Sequence, residues 1–310
     1  MKLHRADLTL EIDPHGGAIT SFKADGLECL LQPQTMSQAE ADLQSLNRLV
    51  GRVANRIGGG RFIIDDESFE VSTNEGPNTL HGGAIGWGHH DWRLEETSAG
   101  ARLSYLSPDG EMGFPGEVHA SADIAFAADD AVEIRYTATT TRPTPINLTH
   151  HLYFNLGGGI DVLDHDITVA ASAITAVCAD LLPTGERMPV QDTPFDLRRP
   201  RRLGEVISAS HPELAAVGGL DHNFVLEAGA QPAVRLRSPQ TDVVLEIATD
   251  QPGVQLYDGR KMPAPWLPYQ ALAIEPQGFP DAVNQPAFPN TILRPGEIYS
   301  RRVLYRLFRA

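Results

Sequence analysis

A chain of 310 residues, 42% of them apolar and 21% charged, can bury a substantial core, so neither a disordered polymer nor a stapled mini-scaffold fits it. The formal net charge of −15 sets the average field of the molecule against a phosphate backbone or an anionic membrane surface, and neither nucleic acid nor membrane is an expected partner. Cys29 and Cys178 stand alone, which removes a zinc ribbon or a Cys-x-x-Cys redox motif and fits a reducing compartment.

Met1 to Leu8 carries Lys2, His4, Arg5 and Asp7 where an export leader needs a continuous apolar core, and no apolar run approaches the ~20 residues of a membrane helix. A soluble, cytoplasmic protein is expected. Alternation in Leu8 to Ile12 breaks at Pro14-His15-Gly16-Gly17 and resumes in Ala18 to Phe22, a strand, a turn and a strand. Arg61 to Ile64 turns through Asp65-Asp66-Glu67 into Phe69 to Val71, and Trp92 to Leu94 turns at Ser98-Ala99-Gly100 into Leu103 to Tyr105, two further hairpins. The clearest pair is Val118 to Phe126 with Val132 to Tyr136, where Val132, Ile134 and Tyr136 share one face and Glu133 and Arg135 the other. Val234 to Arg237 and Val243 to Ile247 form another pair, and Val303 to Leu307 ends the series.

Helical candidates are short: Ser37 to Leu49, with Ser37 as N-cap, and Leu203 to Ser208. Gly (28) and Pro (23) are frequent enough to favour turns over long helices, and no β-α-β alternation appears. The pattern predicts an all-β fold, a large antiparallel β-sandwich forming a single domain over residues 1–310. The Pro-rich stretches Pro263 to Pro268 and Pro276 to Pro295 are apolar and aromatic, and are expected as ordered loops at a sheet edge.

Gly58-Gly59-Gly60 and Gly157-Gly158-Gly159 lack the spacing of a nucleotide-binding loop and read as turns. Walker A, Gly-x-Ser-x-Gly and His-Glu-x-x-His patterns are missing, which leaves histidine and carboxylate chemistry. His89-His90 and His150-His151 are not expected to bind metal, because neighbours on a strand point to opposite faces. The same geometry allows only one of His150 and His151 to face a given pocket.

Four polar stretches flanked by rigid residues stand out: GRVANRI (51–57), PNTLHGG (77–83), PINLTHHLYFNL (145–156) and EPQGFPDA (275–282). They resemble the signature segments of the aldose 1-epimerases, also called galactose mutarotases. Shorter matches follow in order at LPTGE (182–186), TPFD (193–196), DHNF (221–224), GVQLY (253–257) and NQPAFPNTILRPGE (284–297), so the similarity spans nearly the whole chain. The resemblance implies a β-sandwich of the galactose mutarotase type and interconversion of the α and β anomers of a free monosaccharide, without cofactor or metal. It also implies Glu275 as general base, His151 as general acid, and Asn55, Arg56, His81, Asp221 and Gln255 as sugar-binding residues. His150 departs from the pattern, since many relatives have Asn there, and strand geometry turns it away from the sugar.

On local sequence alone Glu275 reads as a solvated charge and His151 as a hydrogen-bonded core histidine. Arg56 reads as half of a surface ion pair and Asp221 as a turn cap. Trp87, Trp266 and Phe279 are candidates for an apolar platform under a sugar ring or for plain core. Two rival functions stay open here. One is a glycoside hydrolase, for which Asp221 and Glu275 would have to stand about 5–10 Å apart. The other is a sugar-binding or regulatory protein that keeps the fold without turnover. A hexose-phosphate epimerase would need a basic cluster near these motifs beyond Arg56, and the run Arg198 to Arg202 reads as a solvated loop.

Overall fold

The period-two alternation of the chain decides which way each strand faces. In Ala131–Thr140 the residues Val132, Ile134, Tyr136 and Ala138 are buried while Arg135 is exposed. A computed structural model describes residues 1–32 and 45–310. Its largest sheet has nine antiparallel strands in the order Arg93–Thr97, Gly100–Ser107, Val118–Ala128, Ala131–Thr140, Tyr299–Arg309, Val243–Thr249, Val234–Arg237, Asp166–Val169 and Arg201–Arg202. The second runs Leu152–Phe154, Leu272–Gln277, Gly253–Tyr257, Asp221–Leu226, Ala171–Val177 and Pro183–Pro189.

The two sheets share one apolar core. Ile134, Leu245, Val303 and Leu307 from the nine-stranded sheet belong to the same buried cluster as Phe224, Val254, Leu256, Leu272 and Ile274 from the six-stranded sheet. The Phe154 and Tyr305 rings meet across it at 6.1 Å. An amino-terminal sheet of Lys2–Arg5, Leu8–Asp13, Ala18–Ala24 and Leu27–Glu28 adds Leu8, Leu10, Ile12 and Phe22 to this cluster. The β-sandwich is therefore the expected one, and each hairpin read from the sequence is present.

Some local readings change. The helix candidate over 37–49 lies, up to residue 44, outside the described residues, and its end is strand, since Leu49–Val50 pairs with Thr149–His150. Leu203–Ile207 is helical, and so is Pro212–Val217, where the His211 side chain accepts from Glu213 N and Gly218 closes the turn at φ 77°. His89 sits in the single turn Trp87–His89, so the strand argument does not apply to the His89-His90 pair. Pro276 lies inside a strand rather than a loop. Its strand pairs with Gly253–Tyr257 at that point, while Leu152–Phe154 pairs only as far as Ile274, so the missing N–H falls where no ladder bond is required.

His150 turns into the sandwich core and is fully buried. Its Nε2 donates to Gly17 O at 3.0 Å, which leaves Nδ1 to accept from the Tyr136 hydroxyl at 2.8 Å. Burial pushes its pKa down to about 4. Unfolded, the same side chain titrates near 6.5, so the unfolded chain binds more protons between these values. This contribution to stability is full above about pH 6.5 and is lost as pH falls toward 4, on the order of 3 kcal/mol for His150. Urea unfolding across that range should therefore show a shallower pH dependence for His150→Asn than for wild type; identical slopes would remove His150 from the acid sensitivity of the fold.

Candidate active site

Because strands alternate, the face of the six-stranded sheet opposite the core carries Ala273, Glu275 and Gln277 on one strand, Gln255 and Tyr257 on the next, and Asp221 and Asn223 on the third. Register brings Asn223, Gln255 and Glu275 into one row across the three strands, with Asp221 opposite Tyr257 in the row beside it. Gln255 Nε2 donates to Asp221 Oδ1 at 2.7 Å, tying the second carboxylate of the site in place. Residues 48–90 close over this face and leave a pocket of about 340 Å³.

The covering segment is held by buried polar bonds. Asn147 Oδ1 accepts from Gly278 N at 2.7 Å while its Nδ2 donates to Ala54 O and Gly278 O, joining the loop before Asn55 to the end of the Glu275 strand. Asp281 N donates to Arg56 O, and Gly58 N donates to Asp281 Oδ1 at 2.9 Å. Gly82, at φ 90°, passes so close to Gly51 O that a Cβ would stand 2.1 Å from it, which only glycine permits.

Glu275 is 1% exposed and its Oε1 lies 3.3 Å from His151 Nε2. Desolvation, with Asp221 adding to it, raises the carboxyl well above the ordinary carboxylate range, and Arg56 opposes that shift. His151 follows directly on the strand Thr149–His150 and faces opposite to His150, into the pocket. Burial pushes the His151 pKa down to about 4, with Asp221 acting against the shift. Its ring lies 4.7 Å from that of Tyr153 and edge-on to His81 at 5.3 Å.

His81 and Asn55 fix each other. His81 N donates to Asn55 O at 3.0 Å, and Asn55 N donates to His81 Nδ1 at 3.1 Å, both residues being left-handed at φ 53° and 63°. Burial, His151 and Arg56 hold the His81 pKa well below its usual value, so the ring is neutral with its proton on Nε2. That tautomer bears on metal binding. His81, His151 and Glu275 place one donor atom each within 4.8 Å of one another, but His81 Nδ1 already accepts from a backbone N–H and Nε2 presents a proton rather than a lone pair. This set suits hydrogen bonding to a neutral polar ligand better than a cation.

Arg56 is bound edge-on by Glu75, through Nε to Oε2 at 2.6 Å and Nη2 to Oε1 at 2.8 Å, and Arg56 N donates to Asn55 Oδ1 at 2.9 Å. All seven residues picked from the sequence, Asn55, Arg56, His81, His151, Asp221, Gln255 and Glu275, thus line this pocket. Trp87, Trp266 and Phe279 do not. Trp87 and Trp266 sit in apolar clusters, and Phe279 packs on Phe288 at 5.2 Å. The aromatic walls are Tyr153 and Tyr257, which the sequence reading passed over although both lie within or at the end of matched segments. Glu75 was missed as well, standing two residues before PNTLHGG. Arg198 pairs with Asp196 on the surface and lines a separate concavity.

A β-sandwich that sets one buried carboxyl against one buried imidazole in a polar pocket is suited to acid/base chemistry on a small hydroxylated molecule. The chain belongs to the aldose 1-epimerase family, whose sequence profile matches residues 1–306, and it is an isomerase of that kind. Galactose mutarotase of Rattus norvegicus is 39% identical, with 98% of this chain and 92% of that protein covered. Aldose 1-epimerase of Escherichia coli K12 is 32% identical over 84% of this chain and 79% of its own length. Among solved structures, the GalM/aldose epimerase homologue from C. elegans superposes with a TM-score of 0.92 at 27% identity, covering 100% of this chain and 98% of that one. Galactose 1-epimerase from Lactobacillus acidophilus gives 0.89 at 26%, covering 99% and 93%.

The His81 tautomer is measurable. Ring-labelled protein studied by ¹⁵N NMR should show His81 neutral and protonated on Nε2 down to about pH 6, below which a free histidine would be mostly charged. A charged ring, or a proton on Nδ1, at that pH would contradict the Asn55 contact.

Proposed function

We propose that this mutarotase interconverts the α and β anomers of a free aldose by ring opening and reclosure, with Glu275 as base and His151 as acid. The observation that carries the assignment is the 3.3 Å contact between His151 Nε2 and Glu275 Oε1 inside a buried polar pocket. Burial drives both groups toward their neutral forms, and a single proton held by the pair satisfies both preferences. That proton has two arrangements, carboxylate with imidazolium or carboxylic acid with imidazole.

The two arrangements are the two sides of the reaction. Starting from carboxylate and imidazolium, Glu275 takes the proton of the anomeric hydroxyl and His151 gives one to the ring oxygen. The bond between C1 and the ring oxygen breaks, C1 becomes an aldehyde carbon, and the pair is left as carboxylic acid and imidazole. After rotation about the C1–C2 bond His151 recovers its proton from the ring hydroxyl while Glu275 returns one to the carbonyl oxygen, closing the ring on the other face. Proton number is conserved on the enzyme at every stage, and each transfer contributes about 10²–10⁴-fold.

Asn55, Arg56, His81, Asp221 and Gln255 are assigned to the sugar hydroxyls and ring oxygen, with His81 donating from Nε2. Galactose, the sugar in the names of several relatives, is the first substrate to test, with glucose beside it. The chain is taken to work as one domain and to have a monosaccharide rather than a nucleic acid as its partner, as its charge of −15 favours. Among the described residues no helix is long and apolar enough to cross a membrane. Two unpaired cysteines, Cys178 exposed, support a cytoplasmic location.

Polarimetry on freshly dissolved α-D-galactose and α-D-glucose should show faster decay of rotation with wild type than with buffer. Glu275→Gln should fold and lose about 10²–10⁴-fold in kcat, with a loss of similar order for His151→Asn. Full activity in Glu275→Gln would take that residue out of the mechanism.

A further inference from the structure

The Arg56–Glu75 pair is more than a surface ion pair. Arg56 is buried and lines the pocket, and its side-on edge, Nε with Nη2, is occupied by both oxygens of Glu75. A guanidinium has five N–H groups in a fixed plane. Two are spent on Glu75, and among the described residues the only other partner of the group is Asn55 Oδ1, 3.4 Å from Nη1. The end-on fork, one N–H each on Nη1 and Nη2, is what Arg56 retains for a ligand, and such a fork matches two adjacent oxygens.

Glu75 is itself prepared for this task. It opens the tight turn Glu75-Gly76-Pro77-Asn78, with Glu75 N donating to Asn78 O at 3.1 Å and Asn78 N donating back to Glu75 O at 3.0 Å. The turn is anchored to the pocket wall, because Gly59 N donates to Asn78 Oδ1 and Leu80 N donates to Asn74 Oδ1. The backbone that carries the carboxylate is therefore fixed, and its two bonds to Arg56 hold the guanidinium plane.

We propose that Glu75 is a positioning residue for sugar recognition, locking Arg56 so that its end-on fork binds a pair of vicinal hydroxyls on the aldose while balancing the Arg56 charge beside the base. The proposal rests on the mutarotase reading and narrows its substrates to aldoses with two adjacent free hydroxyls away from C1. Removing the Glu75 charge leaves Arg56 less compensated, with Asp221 and Glu275 the remaining carboxylates acting on it. Glu275 is faced by Arg56 from the covering segment, His81 and His151 from the segments above it, Tyr153 from the neighbouring strand, and Asp221 from the strand beyond Gln255, in the adjacent row. Of these Arg56 is the fixed cation, and more net positive charge there favours the Glu275 carboxylate.

The experiment compares wild type, Glu75→Gln and Glu75→Asp on galactose and on its 2-, 3- and 4-deoxy analogues. Mutarotation kinetics, calorimetric sugar binding and thermal melting are recorded for each. Glu75→Gln should raise KM and the sugar dissociation constant about 10-fold with kcat changed less than about 3-fold, the pattern of a lost binding contact. The acidic limb of kcat/KM should move to lower pH, since the base ionises earlier. A deoxy analogue that costs wild type about 10-fold should cost Glu75→Gln little, because the fork that read the missing hydroxyl is no longer aimed. Glu75→Asp keeps the charge, so its acidic limb should stay in place.

Unchanged KM, binding and deoxy penalties in a folded Glu75→Gln would overturn the proposal. So would a loss of melting temperature in both variants with the acidic limb and deoxy penalties unmoved, which is the signature of a purely structural role. Wild type without mutarotation would instead defeat the functional reading, and the calorimetric comparison would still decide whether Glu75 governs sugar binding.

Discussion

Taking the Glu275 carboxyl out of water beside the His151 imidazole, 3.3 Å apart, is costly unless the surroundings supply partners, and the architecture around the pocket is built to bear that cost. One face of the six-stranded sheet belongs to the apolar core, so the strands carrying Glu275, Gln255 and Asp221 cannot tilt without disturbing Ile274, Leu256 and Phe224. Rigidity on the core side is transmitted through the period-two pleat to the polar side. A carboxyl on a loop could relax toward solvent, whereas one in the middle of this sheet cannot.

The covering segment has to be as firmly seated as the sheet, since a gap would let water in and restore ordinary ionisation. Buried hydrogen bonds rather than apolar contacts do most of this near the site. Asn147 spans the loop before Asn55 and the turn after Gln277, Asp281 holds the Arg56 strand, and Arg52 reaches Pro115 O, Gly116 O and Thr144 Oγ1 with one nitrogen. Glu111 accepts from Trp87 Nε1, Tyr105 and Ser107, fixing the turn that forms one side of the pocket. Each of these groups makes several bonds at once, and polar networks of that kind specify one arrangement because any alternative breaks more than one buried hydrogen bond.

The fold was legible where its signals are local. The strands Val118–Ala128 and Ala131–Thr140 pair across a short turn, and their alternation is visible within a window of twenty-odd residues. Period two also correctly separated His150 from His151, one to Tyr136 and the other to Glu275. What local pattern could not supply is register between distant strands. Nothing near Gln255 in the chain indicates that it lies between Asn223 and Glu275, and the grouping of the seven pocket residues came from motif resemblance. Glu75 and Tyr257 went unread for the same reason, because an acidic residue before Gly-Pro and a tyrosine ending a strand have ordinary local explanations. Trp87, Trp266 and Phe279, the candidates for an apolar platform, pack against other apolar side chains instead.

Two histidines and a glutamate within 4.8 Å would suit a metal if ligand type and spacing were the whole test. A single backbone N–H decides otherwise. By donating to His81 Nδ1, Asn55 fixes the proton on the far nitrogen, and the neutral ring offers the pocket a donor. For a metal to take that nitrogen, His81 would have to give up either its proton or its bond to Asn55, and the latter also orients the loop that carries Arg56. The same contact that disfavours a cation therefore prepares the pocket for a neutral molecule rich in oxygen lone pairs. In this pocket one outer hydrogen bond decides which chemistry the inner side chains can serve.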